Sequence, residues 1–265
     1  MNRLVPMLIL TSIFIIGCSK DNNGDNDDNN SDELQYFPVL IEEFSHTDCS
    51  PCVSVAEAVE LVLDDYESSG LSPIFVEFHP CPPGFGNDPF NDFATELHQG
   101  RTEWYYDFWE LENVPQLLVD GEPLSAMDRI DPDRIASFVE SARQSNRPAE
   151  ITGTATINGD SIRLDASVVS DSSMEVYIFC YLTGQSIVFD SPPGDNGLSQ
   201  FHMVALAEFP IQDSIYSIGT DEMEISESVE IPPEIQNATI QNYSTVVIIQ
   251  DENRNIIGTN RLDVE

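Results

Sequence analysis

Positive charge is what this 265-residue chain has least of. Ten lysines and arginines stand against 47 aspartates and glutamates, the formal net charge is -37, and Lys20 is the only lysine. So acidic a body repels nucleic acid and anionic membrane surfaces, which removes both as partners of the folded part. The bland reading of the charge is solubility in a salty medium, where counter-ions screen the self-repulsion; the other is an acidic recognition surface. Membrane-length apolar runs are missing as well. The N-terminal one, Leu4 to Gly17, is too short to span a bilayer comfortably and, with Arg3 before it, reads as an export signal. Cysteine is sparse, with five in all.

That export signal stops at Ile15-Ile16-Gly17-Cys18, which resembles a bacterial lipobox, where the cysteine is lipidated and becomes the mature N-terminus. Ile16 is bulkier than the small residue usual there, so cleavage by an ordinary signal peptidase stays an alternative. The next segment, SKDNNGDNDDNNSDE, has no apolar residue before Leu34 and cannot bury enough surface to offset its ordering entropy. Residues 1–17 are therefore expected to be a lipoprotein signal peptide, and 18–34 a lipidated cysteine with an acidic, disordered tether. This is expected to place the protein outside the cytoplasm, lipid-anchored at a membrane, on its periplasmic or its surface side.

The remainder divides by pattern. From 35 to 147 apolar strands alternate with helical periodicity, the mark of an α/β unit. Phe37 to Phe44 is a β-favouring run, Val53 to Tyr66 puts Val55, Val59, Val62 and Leu63 on one helical face, and PIFVEFH is the next strand. Asp88-Pro89 and Asp131-Pro132 each combine a capping side chain with a first-turn proline, and the second opens a helix with Ile135, Phe138 and Val139 on its apolar face. Between them Gln116 to Val119 reads as a strand, Asp120-Gly121 as a turn and Glu122 to Ala126 as the return strand. From 148 to 265 only alternating strands and turns such as Asn158-Gly159-Asp160 remain, which predicts a separate all-β, immunoglobulin-like sandwich serving as a binding or spacer module.

The chemistry concentrates in EEFSHTDCSPC, where Cys49 and Cys52 lead into the first helix. Together with the later NVPQLLVDG, this stretch resembles the thioredoxin superfamily. The ensemble of lipobox, acidic tether, EEFSHTDCSPC, NDPFNDF, VPQLLVDG and VVIIQDENRNIIGTNRL resembles the thioredoxin-like outer-membrane lipoproteins of Bacteroidota. The resemblance implies a thioredoxin-like α/β domain and thiol-disulfide exchange on protein or peptide disulfides, without a cofactor. Cys49 would attack from the helix N-terminus, where free N–H groups favour the thiolate, and Cys52 would resolve, the pair closing as a Cys49–Cys52 disulfide. Pro115 would be cis and face the dithiol, leaving the backbone of Val114 to pair with substrate. Glu43 matches the buried acid that handles the proton of the second cysteine, and burial in a strand would raise its pKa. Departures are Asp48 in place of an aromatic, Ser50-Pro51 in place of Gly-Pro, and Ser45 in place of tryptophan; a carboxylate at 48 opposes thiolate formation.

Alternatives remain open. The pair is also readable as a permanent structural staple in a non-catalytic surface lipoprotein that binds or assembles. A metal clip using His46 and His79 with the two thiolates is a third reading, and we expect no metal. Cys81 and Cys180 are readable as an interdomain bridge, or Cys180 as a small buried hydrophobe. The aromatic-rich segment with Trp104 and Trp109 is expected to be helices packed on the sheet, or else a lid over Cys49.

Overall fold

The structure is a computed structural model, and it describes residues 37–111, 113–211 and 215–265. The export signal, Cys18 and the tether lie outside the described residues. Gln35–Glu265 forms one compact unit.

The elements in order are β1 (Leu40–Phe44), α1 (Ser50–Glu67), β2 (Ile74–Phe78), α2 (Pro89–Phe93), α3 (Thr95–Trp109), β3 (Gln116–Val119), β4 (Glu122–Pro123) and α4 (Pro132–Arg143). Strands follow: β5 (Ala149–Asn158), β6 (Ser161–Ser170), β7 (Met174–Phe189), β8 (Gln200–Glu208), β9 (Tyr216–Ile218), β10 (Met223–Glu230), β11 (Ala238–Gln250) and β12 (Ile256–Asp263). Local rules account for the helix starts. Asp88 accepts from the backbone N–H groups of Phe90 and Asn91, and Asp131 from those of Asp133 and Arg134, each with proline in the first turn. In α1, Cys52, Val55, Ala58, Val59 and Val62 are buried, the stripe expected from the valine spacing.

The expected fold class, an α/β thioredoxin-like domain followed by an independent immunoglobulin-like sandwich, is not what forms. The protein is mostly β, and its strands join into one large mixed sheet of order β12-β11-β7-β8-β2-β1-β3-β4, with β9 paired to β7. The junction is a parallel pairing of β2 with β8 through Glu77 and Val204. The second sheet, β10-β6-β5, has three strands and covers the β7–β11–β12 end. There Ile162, Leu164 and Val168 share a core with Ile178, Leu182 and Val247. The core that holds α1 and α4 against the sheet contains Ile41, Val76 and Leu117, and equally Tyr181, Met203, Val246 and Ile248 from beyond residue 148. One hydrophobic core thus crosses the expected boundary, for a physical reason: β8 is buried on both faces over Met203–Leu206, so it takes strand partners on both sides. The return strand is shorter than expected, only Glu122–Pro123.

A buried polar knot ties the two halves. Arg101, on α3, donates from Nε to Glu42 Oε1 at 2.7 Å and from a terminal nitrogen to the Tyr105 hydroxyl at 3.0 Å. Tyr105 donates to Glu42 Oε2 at 2.6 Å, and Gln250 of β11 donates to Tyr105 at 3.0 Å. The guanidinium carbon sits 4.5 Å from the Phe179 ring centre on β7. Trp104 packs on Tyr177 and Phe179 and donates to Gln250, while Trp109 donates to the Gly121 carbonyl. The two tryptophans therefore belong to the packing between α3 and the sheet and form no lid.

Candidate functional site

β1 and β2 are parallel and β3 runs antiparallel to β1, with Phe44 opposite Gln116. The C-terminal ends of β1 and β2 and the start of β3 therefore share one sheet edge. At that edge Cys49 caps α1 in an extended conformation, Pro51 occupies its first turn, and Cys49 and Cys52 are joined by a disulfide with an S–S distance of 2.07 Å. The Val114–Pro115 peptide is cis, one residue before the start of β3. A cavity of about 110 Å³ opens beside it, lined by Phe44, Cys81, Leu111, Val114 and Gln116 among others, apolar and of a size for one side chain.

The dithiol is sealed: Cys49 is 1 % exposed and Cys52 0 %. Two loops hold the segment that leads into it. From the β7–β8 connection, Asn196 donates its backbone N–H to the Thr47 carbonyl at 2.9 Å, and Asp195 donates to Asp48 Oδ1 at 3.1 Å. Gly194 lies so close that a Cβ there would stand 2.4 Å from the Thr47 carbonyl oxygen, so only glycine permits the approach. From the other side, Asp88 accepts from the Thr47 backbone N–H at 2.8 Å. Asp88 thus serves the loop as well as the cap of α2.

Asp88 is also the centre of a buried charge chain. Its Oδ2 lies 3.0 Å from His79 Nδ1 and 3.8 Å from His46 Nδ1. On its far side, His79 Nε2 lies 3.1 Å from Glu77 Oε1, close enough for an ion pair but without hydrogen-bond alignment. Burial alone would make the His79 imidazole neutral, but the carboxylates of Asp88 and Glu77 outweigh it and raise the pKa to about 10. Asp88 is held well below the usual carboxylate range; burial opposes this, and the His79 charge and donated hydrogen bonds prevail. His98 accepts from the His79 backbone N–H and is kept neutral by burial and by the His79 charge, its pKa falling to about 3. His46 accepts from the Asp48 backbone N–H at 3.0 Å, and burial lowers its pKa. Of the two histidines of the metal-clip reading, His79 is thus held between Asp88 and Glu77, His46 is a neutral ring whose Nδ1 accepts from Asp48, and the two sulfurs are bonded to each other.

Glu43 is 1 % exposed, in register with Glu77 on the neighbouring strand. Burial pushes its carboxyl well above the ordinary value, and the Glu77 charge pushes it further, while the His79 charge opposes both. Cys81 is partly exposed with its thiol directed to the Gly86 carbonyl, and Cys180 is a buried free thiol in β7, so they form no bridge. Burial, then the nearby Asp88, Asp92 and Asp48, raise the pKa of Cys81 and keep it a thiol.

No protein-family profile matches the chain, and no curated protein does. Among solved structures, HBP35 of Porphyromonas gingivalis aligns over 86% of this chain and 76% of its own, with a TM-score of 0.65 and 14% identity. A protein from Agrobacterium tumefaciens aligns over 86% of this chain and 94% of its own, at 14% identity and a TM-score of 0.48. At such identity the likeness to HBP35, itself from a member of the Bacteroidota, is one of fold. With the Cys49–Cys52 disulfide it is compatible with a thioredoxin-like protein.

Of the residues the sequence singled out, Cys49, Cys52, Val114 and Pro115 stand at one sheet edge and Glu43 is buried in β1 beside Glu77; Glu77, Asp88 as a loop anchor and the strap at Gly194–Asn196 were not among them. Glu77 had a signal of the same kind as Glu43, a lone acid inside an apolar strand. The strap had only a turn-rich SPPGDNG with nothing in it to name its partner.

Proposed function

We propose that this chain is a thiol-disulfide exchange protein acting on protein or peptide disulfides outside the cytoplasm, tethered to the outer membrane through a lipid on Cys18. The observation that carries the reading is the disulfide at the N-terminus of α1 on the same sheet edge as the cis Val114–Pro115 peptide. In the reducing direction, the Cys49 thiolate attacks a substrate disulfide sulfur, a mixed disulfide forms, and one substrate thiolate leaves. Cys52 then attacks the Cys49 sulfur, closes the Cys49–Cys52 bond and releases the second substrate thiolate, so the protein is oxidised and the substrate reduced. The reverse sequence oxidises a substrate dithiol. Glu43 accepts the proton of Cys52, a role suited to a carboxyl whose proton affinity burial raises well above the ordinary carboxylate value. The Val114 backbone pairs with the substrate main chain and the small cavity beside it receives one apolar side chain. No cofactor takes part.

One observation favours a second reading. Both cysteines are buried, as in a structural staple of a non-catalytic binding or assembly module. Trapping separates the two. With Cys52→Ala, incubation with oxidised glutathione is expected to give one glutathione per chain, located at Cys49 by peptide mass spectrometry and absent in Cys49→Ala. An unmodified chain, or an adduct at Cys81 alone, contradicts exchange.

A further inference from the structure

On the face of the sheet that carries α1 there is a second opening, about 610 Å³ in volume, within the range of small-molecule sites. It runs between α1 and the start of β8 over a floor supplied by β1 and β2. Glu43 and Glu77 form that floor, side by side in the parallel register. The helix wall presents Glu57, Glu60, Asp64 and Glu67, three or four residues apart and therefore on one stripe of α1. Arg261 and His202 are the basic side chains of the lining. Acids on a helix face are ordinarily a solvated surface. The floor is different, because Glu43 is 1 % exposed and its Oε1 has no hydrogen-bond partner, a state that buried carboxyl oxygens avoid. The opening offers that oxygen a donor from outside.

We propose that this cleft binds a small organic ammonium, its charged head against Glu43 and Glu77 and its alkyl stem along Val59, Phe75 and Phe201. Two features select this class. The lining pairs carboxyl groups of the floor and of α1 with the apolar side chains of Val59, Leu63, Phe75 and Phe201, which suits a cation carried on a hydrocarbon stem. A bare divalent ion needs several ligands converging on one point, and among the described residues no group of three or more suitable side chains is so arranged. Glu43 also serves the proposed exchange, but neither cysteine of the dithiol lines the cleft, so binding is measurable with the disulfide closed and its failure is distinguishable from a failure of exchange.

The test is calorimetric titration of the full chain at physiological salt with 1,6-diaminohexane, spermidine and, separately, magnesium chloride. Saturable binding of an amine at one per chain is expected, weakened at least tenfold by Glu43→Gln and by Glu77→Gln. Glu224→Gln, an equal change of charge at an exposed position on β10, is expected to change it less than twofold. Should the floor variants fail to fold, Leu63→Arg decides, since it places a cation in the cleft with both floor acids intact and is expected to abolish amine binding. Absence of saturable binding, equal weakening by Glu224→Gln, binding of magnesium in place of the amines, or full amine binding by Leu63→Arg would overturn the proposal.

Discussion

Arg101→Met is expected to lower the unfolding free energy by about 3–5 kcal/mol, the cost of removing one partner from a buried ion pair. The guanidinium and Glu42 are both fully buried, and methionine keeps the packing on Phe179 and Tyr105 while removing the charge. What remains is the Glu42 carboxylate in an apolar interior with the Tyr105 hydroxyl as donor. Because the knot joins α3 and β1 to β7 and β11, the loss should appear as a single cooperative transition at lower denaturant. The double variant Arg101→Met with Glu42→Gln should recover about half or more of the loss, since an uncharged pair leaves no stranded ion. Chemical denaturation followed in parallel by tryptophan fluorescence, which reports on α3, and by far-ultraviolet circular dichroism, which reports on all the strands, reads both. Two separated transitions would show two independently folding halves and contradict the shared core.

The second large effect is at Asp88. Asp88→Asn keeps an oxygen for the α2 cap but removes the charge facing His79, and should cost about 3 kcal/mol near pH 6, with Glu77 still partnering the imidazolium. The pH dependence carries the sign. The His79 pKa is raised from 6.5 to about 10, so its contribution is full below pH 6.5 and is lost as pH rises toward 10. The Asp88 pKa is lowered, so its contribution is full above the ordinary carboxylate range and is lost on acidification below it. The penalty of the variant should therefore be largest between about pH 4 and 6.5 and shrink by pH 9. Urea unfolding of both proteins at pH 6 and pH 9 measures it; the same penalty at both values would mean that the His79–Asp88 charge pair is not its source. Because Thr47 hangs on Asp88, the variant should also loosen the segment before Cys49.

The sequence was most informative where a local rule sufficed. Asp88-Pro89 and Asp131-Pro132 read directly as helix starts, since a capping oxygen and a first-turn proline act within four residues. The valine stripe of α1 and the buried Glu43 in an apolar strand were legible for the same reason. The architecture was not, because the decisive contact joins Glu77 to Val204, and no periodicity in PIFVEFH or QFHMVALAEF states which strand lies beside which. A hint was present: MVALA is apolar at consecutive positions, the pattern of a strand covered on both faces. Read as a sandwich strand it gave two domains; read as a central strand it would have given one sheet. The site divides along the same line. Cysteines, proline and Glu43 lie in recognisable short motifs, whereas the strap at Gly194–Asn196 reaches the segment before Cys49 from about 150 residues away, and nothing in its own sequence states that partner.

Whether Cys49–Cys52 works as a dithiol is read by a glutathione redox titration. The full chain would be equilibrated across a range of reduced to oxidised glutathione, quenched by alkylation, and Cys49 and Cys52 followed by mass spectrometry. A two-electron transition between about -270 and -120 mV is expected, the span of known exchange catalysts, with Cys49 alkylating faster than Cys52. A disulfide that stays closed below about -300 mV would mark a structural staple and contradict exchange.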